Sequence, residues 1–459
     1  MSAQPQLDCA ETHPGLGGVR RTWSPWSGVH TELGHSDPVE VEVVQPRDTA
    51  HVAELLVEAA RQGRRVRPLG SGHSFSAIGR PVDVALDLGS LSRITKVDVD
   101  LATGGARVRV GGGITLRALN AALEAIGLAM PNLGDIDAQT IAGALATGTH
   151  GTGGRLQGIA SAVCALTLVT VDGTVHGLQR GDELFEAARI NLGALGVVTE
   201  VEVECVPAFR LQATEGLMPL AELLDDLDGF VDSADHAEFF WFPHTKVAST
   251  RRNVRVDAQV GRPLPRWREA IEDRLLSNGA YELINRAGSA RPQWVPRLNR
   301  VCASMLGGRT YADASHRVFC SVRAVRFVET EYAVPRGATH EVLREMQAWF
   351  ASTKAPVSFP LEVRFLASDD VWLSGAYGRD TAYIAVHQYW RAPYEQLFAQ
   401  FERVVAAHGG RPHWGKMHGL DAQHLEEVHP RLADFKRVRD RLDPQRVLGS
   451  PHLERILGP

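Results

Sequence analysis

Two side chains of opposite charge have the spacing of a reactive pair. Glu362 and Arg364 lie two positions apart in the run LEVRF, and residues two apart in an extended strand project from one face. An arginine beside a reacting centre can stabilise negative charge that develops there. The ordinary interpretation of this spacing is a surface ion pair, but Leu361, Val363 and Phe365 around it are apolar. The pair is therefore a candidate part of an active site.

Two further side chains are candidates for proton transfer. His387 shares one face of the predicted strand AYIAVHQYW with Tyr389, where a histidine either has a structural role or binds substrate and accepts a proton. Lys416, in HWGKMHGL, is a candidate base if desolvation lowers its pKa towards neutrality. His413 and His418 lack an evident third ligand, and we expect no metal.

Glycine-rich turns indicate a site for a phosphorylated cofactor. Glycine lets backbone N–H groups approach phosphate closely. Gly70-Ser71-Gly72 runs into His73, and a second cluster stands at residues 111–113, but neither continues as the dinucleotide fingerprint G-x-G-x-x-G. A Walker sequence is also absent, which argues against ordinary nicotinamide or ATP enzymes. Taken alone, each cluster is more often a simple turn than a ligand site.

The elements around these residues predict an α+β protein of two domains. Up to Arg210, short helix and strand patterns alternate around three glycine-rich turns, as in VEVEVV, TLRALNAALEAIG and GVVTEVEVECVP. Beyond it, helical patterns such as MPLAELLDDLDGFVDSA alternate with strands such as HAEFFWFP, which predicts a sheet-based second domain. Residues 251–308 are irregular and rich in arginine, proline and tryptophan.

Composition excludes several classes of partner. The formal net charge of −5 gives no general attraction for nucleic acid, and we expect no nucleic-acid partner. No apolar run is long enough to cross a bilayer. The five cysteines are widely spaced, which argues against a disulfide framework and favours a reducing compartment. We expect a cytoplasmic protein without a transmembrane segment, with association at a membrane surface as the alternative.

Taken together, the ordered motifs resemble a known family. The chain is similar to the vanillyl-alcohol oxidase type (PCMH-type) of FAD flavoprotein, and within it to the sugar-1,4-lactone oxidases. The similarity spans residues 20–455 and rests on WSPWSG, PLGSGHSFS, VGGGITL, NLGDIDAQTIAGALATGTHGTG, NLGALGVVTEVEVE, LEVRF, AYIAVHQYW and HWGKMHGL.

The resemblance implies an arrangement of domains. It predicts a disordered amino terminus at residues 1–20 and a two-part FAD-binding domain at 21–210. A sheet-based cap domain for the substrate follows at 211–420. The segment 421–459 then returns to the FAD domain.

The resemblance also implies which residues bind the cofactor. His73 would carry FAD covalently through the 8α-methyl group of the flavin. Thr147 and Thr149 have helix capping as their alternative role. Gly134 would leave a gap beside the flavin that favours an oxidase, unless backbone conformation alone requires glycine. The other implied FAD contacts are Leu69, Gly70, Ser71, Gly72, Ser74, Asp135, Thr140, Gly143, His150 and Val198.

The reaction implied is oxidation of L-gulono-, L-galactono- or D-arabinono-1,4-lactone by hydride transfer to flavin N5. Arg364 would stabilise negative charge on the flavin or substrate oxygen, and Glu362 would bind sugar hydroxyls. Oxygen, or a dye- or cytochrome-like acceptor, would reoxidise the flavin. The alternatives are an alditol oxidase acting on xylitol or sorbitol, and a flavin-binding module without turnover. Glu362, Arg364, His387 and Lys416 together argue against the module.

Overall fold

The computed structural model consists of three β-sheets whose strands follow one another in chain order, with helices packed around them. It describes residues 10–12, 16–29, 31, 34, 37–257, 260, 263, 279, 281–305, 308–320 and 325–459. The mixture of helices and sheets confirms the predicted α+β class. Among the described residues, no helix has the length and apolar character needed to span a membrane.

The first sheet carries the loop that contains His73. Its strand order is β1-β2-β3-β5-β4, and β5 pairs in parallel with both β3 and β4. The loop begins where β4 ends. The five strands are β1 (Ala10–Thr12), β2 (Val19–Trp23), β3 (Val39–Val44), β4 (Val66–Leu69) and β5 (Val84–Asp87).

The second sheet is antiparallel and has the order β10-β9-β11-β7-β6, with β8 paired to one end of β11. Alternating residues on its long strand are buried, as the valine-rich pattern predicts. Its strands are β6 (Ile94–Val99), β7 (Ala106–Gly111), β8 (Leu128–Ala129), β9 (Val163–Val169), β10 (Val175–Gln179) and β11 (Val197–Pro207).

The third sheet has eight strands in the order β15-β12-β14-β13-β17-β18-β16-β19. Strands β16, β17 and β18 are buried along nearly their whole length, so polar residues on them lie inside the protein. Its strands are β12 (Arg210–Pro219), β13 (His236–Trp241), β14 (Val247–Val256), β15 (Arg309–Ala314), β16 (Phe327–Pro335), β17 (Leu361–Leu366), β18 (Thr381–Tyr389) and β19 (Arg411–Pro412).

Most helices cover the outer faces of these sheets. In α1, the buried residues Val52, Leu55, Leu56 and Ala59 form one face, as their spacing predicts. The described helices are α1 (Thr49–Arg61), α2 (Leu116–Ala125), α3 (Ile141–Ala146), α4 (Glu183–Ala188), α5 (Leu220–Asp225), α6 (Leu227–Asp232), α7 (Tyr281–Ala290), α8 (Val295–Met305), α9 (Ser315–Phe319), α10 (Thr339–Thr353), α11 (Glu395–Ala407), α12 (Ala422–Val428), α13 (Leu432–Leu442) and α14 (Pro451–Leu457).

The hydrophobic cores follow this division. One core joins β7, β9 and β11 to the carboxyl-terminal helices through residues such as Phe435 and Ile456. A second core lies between the third sheet and helices α10 and α11. The domain limits of 21–210, 211–420 and 421–459 stay a proposal, since the first core also includes residues of the middle range such as Leu211 and Trp414. Of the segment predicted to be disordered, residues 1–9 and 13–15 lie outside the described residues, whereas β1 pairs with β2.

Two predictions of local structure differ from the fold. The run MPLAELLDDLDGFVDSA forms the end of β12 and two short helices rather than one long helix, because Asp226 leaves helical geometry and caps α6. The stretch expected to be irregular contains the end of β14 as well as α7 and α8. Residues 264–278 of this stretch lie outside the described residues.

Candidate functional site

A first cleft lies between the His73 loop and α3. It holds about 830 Å³ of space, open to solvent. A side chain at Gly70 would place its Cβ 3.1 Å from Thr140 Oγ1 and 3.3 Å from the Cα of Gly143, so a neighbour would have to shift by a few tenths of an ångström to admit it. The predicted cofactor residues that line this cleft are Leu69, Gly70, Ser71, Gly72, His73, Ser74, Gly143, Thr147 and Val198.

Thr140 lines neither this cleft nor the next one. Its side chain caps α3 by accepting a hydrogen bond from the backbone N–H of Gly143 at 3.2 Å. Thr140 therefore shapes the wall of the first cleft from behind. Within the described residues, the other predicted cofactor contacts line one or both clefts.

His73 lies where the two clefts meet, because it lines both of them. Its ring stacks on Trp26, with 4.9 Å between ring centroids and 19° between planes. Burial lowers the pKa of His73 to about 4, which keeps the imidazole neutral. Its Nδ1 is buried without a well-formed hydrogen bond to any described residue. A neutral imidazole with an unused nitrogen is the chemistry that attachment to a cofactor requires.

The His73 loop is fixed from the other end of the chain. The backbone N–H of Phe75 donates to the carbonyl oxygen of Gly415 at 2.7 Å. The hydroxyl of Ser76 donates to the carbonyl oxygen of Trp414 at 2.8 Å. These bonds bring the HWGK segment, and with it Lys416, beside the cofactor loop.

The second cleft holds about 690 Å³ and is lined by residues that are distant in the sequence. Gly134, Asp135, Thr149 and His150 come from the part predicted to bind FAD. Glu362, Arg364 and Lys416 come from the part predicted to bind substrate. His387 lies behind this cleft rather than in its lining. The remaining residues of the lining are His73, Ser74, Phe75, Ile136, Gln139, Thr147, Phe327, Glu329, Glu331, His413 and Gly415.

A row of charged residues crosses one face of the third sheet behind this cleft. Register places Glu238 opposite both Arg251 and Arg364, and Glu329 opposite His387. We call the row the charge ladder; it consists of Arg309, Glu215, Arg251, Glu238, Arg364, Glu362, His387, Glu329 and Lys416. The contacts that join neighbours in it are at most 3.9 Å long. Carboxylates therefore alternate with basic side chains along this face, and the central members from Glu238 to Glu329 are buried.

Arg364 is the centre of this ladder. Its guanidinium contacts Asp135 and Glu362, and its Nε donates to Glu238 Oε2 at 3.0 Å. Burial opposes the charge of Arg364, but the three carboxylates outweigh it and raise the pKa well above its ordinary value. Asp135 belongs to the FAD-binding side, so Arg364 links the two halves of the cleft. A fixed cation in this position suits stabilisation of developing negative charge.

Lys416 does not meet the condition under which it would be a candidate base. Its Nζ lies 2.6 Å from Glu329 Oε2 and 3.9 Å from Glu331 Oε2. Burial lowers the pKa of Lys416, but these carboxylates outweigh burial and raise it above the ordinary lysine value. This direction of the pKa shift favours the ammonium form.

His387 is buried and held from two sides. Its Nδ1 lies 3.1 Å from the carbonyl oxygen of Pro360, and its Nε2 lies 3.3 Å from Glu329 Oε1. Nε2 also lies 3.9 Å from Glu362 Oε2. The imidazole does not line the cleft, so it can influence the cleft through Glu329 and Glu362, which do line it.

Two groups of buried side chains have the composition of a metal site. In the first, His150, Glu331 and His413 place possible ligand atoms within 4.8 Å of one another. However, His413 Nδ1 accepts a hydrogen bond from the N–H of Gly415 at 3.0 Å, which puts its proton on the nitrogen a metal would need.

In the second group, Asp135, Glu238 and Glu362 meet around Arg364. Its guanidinium contacts all three carboxylates and takes the place of a cation. His418, paired with His413 in the sequence-based hypothesis, belongs to neither group.

Sequence analysis did not identify Glu329 and Glu331 as residues of the site. Glu329 and Glu331 stand two apart in FVETEYAVP, which is the same signal as in LEVRF: charges on one face of an otherwise apolar strand. Burial raises the pKa of Glu329, but Lys416 and His387 outweigh burial and lower it to about 2. Both carboxylates are therefore ionised inside the cleft.

Gly134 is fixed by packing against the backbone. A Cβ there would lie 2.9 Å from the carbonyl oxygen of His150 and 3.4 Å from Thr149 Cγ2. The close approach of the His150 backbone therefore requires glycine at position 134, whether or not oxygen passes through the gap.

Comparisons with known proteins agree with this geometry. A family model described as D-arabinono-1,4-lactone oxidase matches residues 201–456, and a model described as FAD binding domain matches residues 42–179. L-gulono-1,4-lactone dehydrogenase from Mycobacterium tuberculosis is 43% identical over 95% of this chain and 99% of its own. L-gulonolactone oxidase from Bos taurus is 32% identical over 90% of this chain and 94% of its own.

The fold also has a counterpart among solved structures. Cholesterol oxidase from Brevibacterium sterolicum superposes with a TM-score of 0.80 at 19% sequence identity, covering 96% of this chain and 97% of that one. At this identity the likeness concerns the fold alone. The family match over more than half of the chain, and the relatives that span nearly all of it, lead to one conclusion: this protein belongs to the D-arabinono-1,4-lactone oxidase family.

Proposed function

We propose that the protein oxidises the carbinol group of a sugar 1,4-lactone with FAD as cofactor. The observation that carries the proposal is the second cleft, which is lined by His73 and also by Glu362, Arg364 and Lys416. Carboxylates on its floor suit the hydroxyl groups of a sugar, and cations suit an oxygen that becomes negative. The names of the relatives, gulonolactone dehydrogenase and gulonolactone oxidase, support a lactone as substrate.

The residues present fit FAD. The glycine-rich first cleft offers backbone to phosphate groups, and its two walls approach closely at Gly70. When bound, FAD supplies a hydride acceptor. We propose that His73 forms the 8α-histidyl bond to it, because the imidazole is neutral, buried and stacked on Trp26.

The protein side of the reaction follows from the charge ladder. Glu362 would accept hydrogen bonds from substrate hydroxyls, while Arg364, held by three carboxylates, stabilises the oxygen that loses its proton. His387 orients Glu362 and Glu329 from behind. Oxygen, or another acceptor such as a dye or a cytochrome-like protein, would take the electrons. Gly134 does not distinguish these acceptors, because packing against the backbone of His150 requires glycine in either case.

An anaerobic substrate panel tests the function. The FAD-loaded protein is mixed with L-gulono-, L-galactono- and D-arabinono-1,4-lactone, and separately with xylitol and sorbitol, while flavin absorbance is followed. We expect a lactone to bleach the flavin faster than either alditol. Readmitting air, or adding a dye acceptor, then shows which oxidant restores the colour.

Dithionite serves as the control, because it reduces any intact flavin. Bleaching by xylitol or sorbitol alone would make the protein an alditol oxidase. Bleaching by dithionite but by none of the five substrates would leave a flavin-binding module and overturn the proposal.

A further inference from the structure

Glu329 connects the two side chains that sequence analysis put forward for proton transfer. Its Oε2 lies 2.6 Å from Lys416 Nζ and its Oε1 lies 3.3 Å from His387 Nε2. The carboxylate is buried, with 5% of its surface exposed, and it lines the second cleft. No other described carboxylate contacts both groups within 4.0 Å.

Lys416 lies in a setting that favours its charged form. On one side its Nζ lies 5.2 Å from the ring centroid of Phe75, which suits a cation. The other sides present mainly carboxylates. The ionisable groups that surround it are Glu329 and Glu331 from β16, Glu362 and Arg364 from β17, His150 beside Glu331, and His413 from its own loop.

The charge of Lys416 decides what it can do in the reaction. An ammonium has three N–H donors and no lone pair, so it cannot accept the proton of a hydroxyl group. It can donate a hydrogen bond to the substrate oxygen on which negative charge develops. Glu329 is the nearest carboxylate and is itself ionised, so it contributes most to keeping this charge.

We propose that Glu329 is a positioning residue that holds Lys416 as an ammonium facing the substrate, so that Lys416 acts as a hydrogen-bond donor and not as the base. The proposal rests on the proposed function, since it assigns a role within that same cleft. It implies that the proton of the oxidised hydroxyl leaves through another group or through water.

The first test measures the protonation of Lys416 without turnover. The FAD-loaded protein and its Glu329→Gln variant are labelled with acetic anhydride between pH 7 and 10, and acetylation of Lys416 is quantified by peptide mass spectrometry. Loss of a carboxylate this close lowers a lysine pKa by about 1–3 units. We expect Lys416 to react at least ~10-fold faster in the variant at pH 8, because each pKa unit is a tenfold change in neutral amine.

The second test measures the reductive half-reaction. The rate of anaerobic bleaching by a lactone is recorded against pH for the wild type and Glu329→Gln. We expect the variant to lose rate as pH rises, with an alkaline limb about 1–3 pH units lower than in the wild type. Adding Lys416→Arg should remove this limb, since a guanidinium stays protonated.

A matched control and a second variant keep the tests decisive. Glu426→Gln removes a carboxylate that contacts Lys436 on the carboxyl-terminal helices and should change neither measurement. If Glu329→Gln does not retain FAD, Glu329→Asp should show smaller shifts in the same direction.

Unchanged labelling of Lys416 together with an unchanged limb would overturn the proposal. A faster reaction of Glu329→Gln near neutral pH would also overturn the proposal, because it would show that Lys416 acts as a base. If no lactone bleaches the wild type, the proposed function fails, whereas the labelling result still decides the role of Glu329.

Discussion

His73 combines properties that rarely occur together in a histidine. It is neutral, stacked on an indole ring and placed at the junction of two clefts. We expect His73→Ala to retain FAD only non-covalently, because alanine has no nucleophilic nitrogen. On an acidified denaturing gel, flavin fluorescence should migrate with the wild-type chain and be absent from the variant.

The control for this prediction is His424→Ala, which removes an exposed histidine that contacts Asp421. Its fluorescence should match that of the wild type. Flavin that remains attached to the His73→Ala chain under acid would contradict the proposed linkage.

Sequence analysis put forward single residues but not their partners. Glu362 and Arg364 were put forward because opposite charges two positions apart among apolar residues are conspicuous, and Lys416 because it lies in the HWGKMHGL motif. The pKa of Lys416 is raised by Glu329 and Glu331, which come from a distant strand and could not be placed beside it from the sequence. Long-range electrostatics of this kind is visible only once the sheet is assembled.

At the scale of elements, most strands were predicted from the sequence, but the end of an arginine-rich strand was missed. Strand β14 contains RRNVRV, whose arginines suggested irregular structure, yet Arg251 extends into the charge ladder. A strand whose charged residues form ion pairs inside the protein is therefore not recognised from its pattern of hydrophobic residues. The break between α5 and α6 was missed because Asp226 acts as a cap within a helical pattern.

Gly113 lies where the backbone after β7 closely approaches Leu88. A Cβ at Gly113 would lie 1.8 Å from the carbonyl oxygen of Leu88, so any side chain must displace backbone. We expect Gly113→Ala to lower the free energy of unfolding by about 1–3 kcal/mol or more. The urea midpoint of the FAD-loaded protein measures this.

Gly177→Ala in β10 is the matched control, because a Cβ there has nothing within 4 Å. It should leave the midpoint unchanged or raise it slightly, since alanine restricts the unfolded chain. Equal midpoints for the two variants would contradict the packing argument.

At the scale of the whole molecule, buried histidines make the fold sensitive to acid. Burial lowers the pKa of His413 to about 4 and that of His418 to about 3, and it lowers the pKa of His429 well below 6.5. Below pH 6.5 the unfolded chain binds protons that the folded protein does not, so stability falls as pH falls. The loss is at most about 1.4 kcal/mol per pH unit for each histidine.

Thermal unfolding between pH 7 and 4.5 measures this dependence, because carboxylates whose pKa is lowered by folding destabilise the protein only below about 4.5. We expect the melting temperature to fall across this window, and His418→Leu to make the fall less steep. A wild-type melting temperature that stays constant from pH 7 to 4.5 would contradict the prediction.

The bonds from Phe75 and Ser76 to residues 414 and 415 have a consequence for maturation. A ribosome releases the amino-terminal cofactor loop long before it translates the segment that anchors it. The loop can therefore take up its final position only after Gly415 has been translated, and a chain that ends before Trp414 would lack the anchor of the proposed cofactor site.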